Sequence, residues 1–225
     1  MSMNEGIFLL AIQGTLKSKT QEEARNVHNK TAGNPQGVAA ARSLGDLSHN
    51  VYVSMDATSG SAGELLILDL WNSLEGFGKF FADKQVQEGG AMIFASVENR
   101  ELWLPAQDFY GFALPTPPSN TDRFVGLVRG TVRSRDAAKA GFAEFAKTIN
   151  AARMEGQVAH EVFFRTSESG QPPSLELLAV DTWMDAAGMG RFYSEPKHMA
   201  PLGSIFSAAP KTSTWKRPAG SWVEW

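Results

Sequence analysis

Four histidines, a repeated Asp-x-Trp and one tyrosine are the residues of this 225-residue chain best suited to move protons or hold a planar molecule. His49 and His160 each open a short β-type run, HNVYV and HEVFF, where an imidazole can either hydrogen-bond across a sheet or transfer a proton in a pocket. His198 stands in Ser194-Glu195-Pro196-Lys197-His198, with Tyr193 one turn earlier; His198, Tyr193 and His160 are the candidate catalytic residues. Asp69 and Asp181 each precede a tryptophan, Trp71 or Trp183, by two positions, so carboxylate and indole share one face of a strand. These four, with His49, Gln13 and Arg129, are the candidate pocket lining. His28, beside Glu22 and Glu23, reads as part of a solvated helix face.

These residues come in pairs because the chain repeats itself. Residues 64–81, ELLILDLWNSLEGFGKFF, return as residues 176–193, ELLAVDTWMDAAGMGRFY, with eight of eighteen positions identical. IQGTLKS parallels VRGTVRS, Phe94 parallels Phe206, and Trp103 parallels Trp215. The expected organisation is a first unit over 1–114, a linker over 115–123 rich in proline, and a second unit over 124–225.

Each copy reads strand, helix, strand, strand, helix, strand. Strand one covers Ile7 to Leu16 or Phe124 to Val132; helix one starts near Thr20, where Glu23 completes a capping box, or near Asp136. Phe142, Phe145, Ala146 and Ile149 fall at helical spacing. Turns at Ser59-Gly60 and Ser169-Gly170 lead to strand three, helix two follows Trp71 or Trp183, and strand four holds Trp103 or Trp215. The fold class is α+β: two tandem ferredoxin-like βαββαβ units. Leu66, Leu68 and Leu70 are expected to face the helices. Asp69 and Trp71 then face away from them, towards a second sheet, with Asp181 beside Arg129 in the second copy. Gln13 replaces Arg129 in the first copy, which makes Asp69 the candidate for a raised pKa.

The D-x-W ending of strand three, the aromatic-rich helix after it and the S-E-P-K-H segment resemble the dimeric α+β barrel superfamily, in particular its antibiotic-biosynthesis-monooxygenase-like and stress-responsive members. The resemblance spans both repeats. It implies that two four-stranded sheets face each other around a chamber for a small hydrophobic molecule, here as an internal pseudo-dimer in a monomer or within a homodimer. It also implies cofactor-independent oxygenation of an aromatic or polyketide-like substrate. The asparagine of such oxygenases is replaced by Ile67 and Ala179, and the axial histidine of haem-degrading members by Gly90 and Leu202. The alternative is a noncatalytic ligand-binding or stress-responsive module.

The remaining signals exclude other classes. Net charge is −3 and no Lys/Arg run exceeds two, so neither nucleic acid nor an anionic membrane is an expected partner. The early apolar run, Ile7 to Ile12, is too short to span a membrane and lacks the basic flank and cleavage site of a signal peptide, which points to a cytoplasmic protein. Without cysteine there is no thiolate, and the four histidines show no metal-ligand spacing; no metal or bound cofactor is expected. Gly76-Phe77-Gly78-Lys79 and Gly188-Met189-Gly190-Arg191 lack the third glycine of a phosphate loop and read as close packing of helix two. Phe109 to Leu114 and the Trp222 and Trp225 segment are candidate association surfaces.

Overall fold

Alternating large apolar side chains from Phe8 onward make a strand whose buried row needs a cover, and amphipathic helices supply it. The computed structural model describes residues 6–56, 62–114, 122–167 and 171–225. The predicted turns at Ser59-Gly60 and Ser169-Gly170 and linker residues 115–121 lie outside the described residues. The chain divides into two compact units. Unit one comprises the residues up to Leu102 together with Arg217–Trp225, and unit two comprises Trp103–Lys216.

Unit one runs β1 (Phe8–Leu16), α1 (Gln21–Lys30), α2 (Pro35–Ser43), β2 (Asp46–Ser54), β3 (Glu64–Trp71), α3 (Leu74–Ala82), α4 (Lys84–Ile93) and β4, which starts at Phe94. The strands lie in the order β4-β1-β3-β2, and β3 is antiparallel to both β1 and β2. Each predicted helix is thus a pair of helices. Asn34 caps α2 with Pro35 at its first position, and Asp83 ends α3 while capping α4, so a helix break is built into each crossover. At α1 the Thr20 side chain accepts from Glu23 N, and Glu23 accepts from Lys19 N. Thr20→Ala is expected to lower stability by about 1 kcal/mol, measured by urea unfolding.

Unit two repeats the plan with β4 ending at Pro105, β5 (Phe112–Ala113), β6 (Phe124–Thr131), α5 (Arg135–Phe145), α6 (Ile149–Met154), β7 (Gln157–Arg165), β8 (Glu176–Trp183), α7 (Ala186–Ser194), α8 (Pro196–Gly203) and β9 (Lys211–Lys216). Its strand order is β9-β6-β8-β7-β5, the same succession of equivalent strands plus one short edge strand, and Trp103–Pro105 also pairs with β7. Among the described residues no helix is long and apolar enough to cross a membrane.

Register decides which row faces the helices, and it corrects the expectation for strand three. Phe8 pairs with Trp71, Leu10 with Asp69 and Ile12 with Ile67, so these residues share one face. That face carries Leu65, Ile67 and Trp71 into the core under the helices, with Phe77, Phe80 and Phe81 packed against it. Leu66, Leu68 and Leu70 are on the other face. Unit two matches: Trp183 pairs with Phe124 and packs on Phe192 and Tyr193. Both tryptophans are therefore core residues beneath helices. The paired glycines have a different neighbour from the expected sheet: a Cβ at Gly76 or Gly188 would overlap the carbonyl oxygen of Leu44 or Glu155, whereas Gly78 and Gly190 face open space.

Candidate functional site

A β-bulge in β2 brings two chemically active residues onto the helix-facing side. Asp46 pairs with Trp71 and His49 with Asp69, and the register shift at Leu47 lets residues three apart in sequence point the same way. Asp46, His49 and Asp69 are all buried. They line a cavity of about 560 Å³ between the sheet of unit one and its helices, walled by Ile12, Ile67, Phe80, Phe81, Ile93 and Trp225. Lys30, Gln36, Lys79 and Glu88 also line it.

Behind the cavity wall the polar groups form a chain. His49 Nδ1 is 2.8 Å from Asp69 Oδ1, and His49 Nε2 is 2.9 Å from His28 Nε2. His28 Nδ1 is 3.1 Å from Asn29 Oδ1. The segment Arg217–Trp225 closes the arrangement. Trp225 stacks on His49 at 4.5 Å between centroids, Trp222 lies 5.1 Å from His28, and backbone hydrogen bonds join His49 and Trp225 in both directions. Trp222 is buried and Trp225 covers a histidine, so this segment is part of the core and not the association surface expected from its sequence. His28 is likewise not on a solvated face: it is fully buried.

Burial and neighbouring charge push these groups apart in basicity. Burial first, then the charge of Asp69, raises the Asp46 carboxyl to about 8, despite opposing contributions from His49, the Ser48 backbone and Arg42. Burial alone would depress His49, but the charge and hydrogen bond of Asp69, with Asp46 and Glu224, raise it above the ordinary histidine value. Burial and the His49 charge lower His28 to about 4, Asn29 opposing. Asp46, which the sequence did not single out, is thus a raised carboxyl of this site. Asp46 and Trp225 line the cavity, and each has a buried polar atom, Oδ1 and Nε1, with no hydrogen-bond partner among the described residues. Such atoms in an apolar cavity are where a ligand's polar groups go.

The second unit carries the same frame filled in. His160 Nδ1 is 2.6 Å from Asp181 Oδ1, Gln157 donates to the same oxygen, and Tyr193 OH donates to Oδ2 at 2.6 Å. Burial, then the Asp181 charge and hydrogen bond, hold the Tyr193 hydroxyl well above its usual pKa. Gln157 stands where unit one has Asp46, at the same bulge, and Phe142 where it has His28. Phe142 stacks on His160 at 5.8 Å. Leu202 is buried in the apolar core at the position of Gly90, which lines the cavity of unit one. Neither residue can ligate a haem iron, and among the described residues no group of three His, Asp or Glu gathers as a metal site. Gly90→Leu is expected to fill the cavity, lowering affinity for an apolar ligand by more than about tenfold, while adding helix propensity to α4; fluorescence titration with thermal melting checks both.

Of the candidates read from sequence, His49 and Asp69 line the cavity. Tyr193, His160 and Asp181 come together as a buried cluster. His198 does not join them: its ring stacks on Phe192 at 4.4 Å and its Nδ1 lies 3.1 Å from the Phe192 carbonyl. Arg129 is opposite Leu178, not Asp181, and donates to Glu176 at 3.2 Å, above the Trp103 ring. Gln13 pairs with Leu66 and hydrogen-bonds Glu64. Sequence reasoning missed Asp46, His28 and Trp225. The repeat held the signal for His28: counted from the caps Thr20 and Ser134, it aligns with Phe142, a core-facing residue of α5.

The fold and this geometry define an α+β protein of tandem ferredoxin-like units, each with a buried Asp-His pair, which in unit one borders a cavity. No family model and no curated protein matches the chain. Solved structures do. An anthrone oxidase-like protein is 15% identical, covering 96% of this chain and 93% of its own, with a TM-score of 0.64. A candidate monooxygenase from Fusobacterium nucleatum is 13% identical over 99% of both chains, TM-score 0.61. A chlorite dismutase variant from Candidatus Nitrospira defluvii is 9% identical over 95% and 92%, TM-score 0.56. These likenesses show the fold: tandem α+β units of ferredoxin-like type in one polypeptide.

Proposed function

We propose that the cavity of unit one binds a flat, largely apolar carbon acid, an anthrone-type fused-ring ketone or an aromatic molecule of similar size, and that Asp46 removes its acidic proton. The observation that carries this reading is the buried, unpartnered Asp46 Oδ1 at the wall of a 560 Å³ cavity. A carboxylate with its pKa near 8 is a stronger base than an exposed one and still loses its proton close to neutrality. Trp225 Nε1, also unpartnered at the cavity, can donate to the substrate's carbonyl oxygen as negative charge develops there. Asp69, Asp46 and Glu224 favour the charged form of His49 over its ordinary balance, and that form favours the same anion.

The carbanion so formed then reacts with dioxygen. One electron passes from the anion to O₂, the two radicals join in a C–O bond as a peroxide anion, this anion takes back the proton held by Asp46, and the hydroperoxide so formed loses water. One anthrone and one O₂ give one anthraquinone and one water, with O₂ as the oxidant. The shared fold with an anthrone oxidase-like protein supports the choice of substrate class.

Oxygen uptake with an anthrone substrate tests the proposal, comparing the wild-type chain with Asp46→Asn. Uptake with quinone formation in the wild type alone supports it. Equal rates in both would remove Asp46 as the base, and no uptake between pH 6 and 9 despite tight ligand binding would assign the cavity to binding without turnover.

A further inference from the structure

The two histidines of unit one have a proton count that their surroundings fix. Asn29 Nδ2 donates to Ser221 O at 2.7 Å and Asn29 Oδ1 accepts from Val223 N at 3.0 Å, so its amide orientation is set by two backbone groups. His28 Nδ1, 3.1 Å from that oxygen, must therefore carry hydrogen. His49 Nδ1 faces the Asp69 carboxylate at 2.8 Å and carries hydrogen too. Two Nε2 atoms remain, 2.9 Å apart. With no hydrogen, two lone pairs would oppose each other; with two, the hydrogens would collide. The separation is a hydrogen-bond length.

We infer that His28 and His49 hold a single proton between their Nε2 atoms, so that His28 is a positioning residue that keeps His49 an imidazolium and thereby sets the proton affinity of Asp46. The charged groups facing His49 support this state. Asp69 comes from β3, Asp46 from β2 with Arg42 of α2 acting on it, and Glu224 from the Arg217–Trp225 segment, where it pairs with Arg217 at 2.7 Å. When Asp46 is ionised three carboxylates face two arginines, so a proton on the pair cancels the charge imbalance of a buried cluster. His28 adds no charge of its own. It supplies the lone pair that the protonated His49 needs, since Nδ1 is already committed to Asp69. In unit two Phe142 occupies this place, Gln157 replaces Asp46, and no second imidazole is present to accept from His160. The chain thus contains the shared-proton pair where it also contains the poised carboxyl.

The inference rests on Asp46 as the proposed base, but its test reads protons and not turnover. Protein labelled with nitrogen-15 in the histidine rings is expected to show one Nε2-bound proton coupled across the hydrogen bond to a second histidine nitrogen. That signal should vanish in His28→Phe, a substitution that the second unit already tolerates at the matching position. The midpoint of Asp46, followed by carbon-13 NMR of its carboxyl, should move up by at least about 0.5 pH unit in His28→Phe, because an unpartnered Nε2–H destabilises the cation beside it. It should return towards the wild-type value in His28→Gln, whose amide oxygen accepts the same hydrogen. A purely structural role for His28 leaves that midpoint unmoved, and this result, or a proton count other than one, overturns the inference. Failure of oxygen uptake with the shared proton present would remove the proposed reaction and leave the pair standing.

Discussion

Asp46→Asn is expected to lose oxygen uptake by at least about 100-fold, the lower end for a general base, while melting at a higher temperature than the wild-type chain above pH 8. Both effects have one origin. The folded protein holds the Asp46 proton up to about pH 8, whereas the unfolded chain releases it near 3.8. A carboxyl whose folded pKa is raised stabilises the fold below its unfolded pKa, and that contribution is lost as pH climbs through the folded value. Wild-type stability should therefore decline between about pH 4 and pH 8 relative to Asp46→Asn, then run parallel to it. Solvent entering the open cavity screens the penalty to on the order of 2 kcal/mol, a difference of roughly 5 °C in melting temperature. Activity runs the opposite way, rising with pH through about 8 as the base is freed. Thermal melts and oxygen uptake from pH 4 to 9.5 measure both curves. A variant that is less stable than wild type at every pH would show Asp46 to be a satisfied structural carboxyl and would sink its role as base.

This opposition between stability and activity explains why the base was hard to see in the sequence. The duplication made the architecture legible, because strand and helix periods, caps and tryptophans recur in matched order in both copies. Asp69 and His49 were legible for the same reason, as members of a repeated pair. Asp46 breaks the repeat: its counterpart is Gln157, and only the bulge at Leu47 turns it onto the same face as His49. Simple alternation would set residues 46 and 49 on opposite faces. The face of Trp71 was misread because strand three is apolar on both sides, leaving the decision to pairing partners. Ile67 faces the helices because it is opposite Ile12, a long-range fact. Trp225 lies 176 residues from His49 along the chain, and no local pattern announces that they stack. His28 differs: alignment of caps places it against Phe142, so the information was present in the repeat.

The second large effect concerns the filled unit, where Asp181→Ala is expected to lower stability by about 3–5 kcal/mol. Asp181 is 2% exposed and accepts from the buried Gln157 Nε2 and His160 Nδ1 and the partly buried Tyr193 OH, at 2.8, 2.6 and 2.6 Å. Truncation removes the acceptor and leaves all three donors in an apolar core of Phe142, Phe145 and Phe192, where each unsatisfied group costs about 1–3 kcal/mol before relaxation. The loss should be partly recovered in the combined variant Asp181→Ala/Tyr193→Phe, which withdraws one orphaned hydroxyl. The cycle completed by Tyr193→Phe alone should therefore be non-additive by more than about 0.5 kcal/mol. Urea unfolding of the four proteins at pH 7 measures this. Additive losses, or a cost below 1 kcal/mol for Asp181→Ala, would mean that water reaches the cluster and that the second unit, like the first, keeps an open site around its histidine.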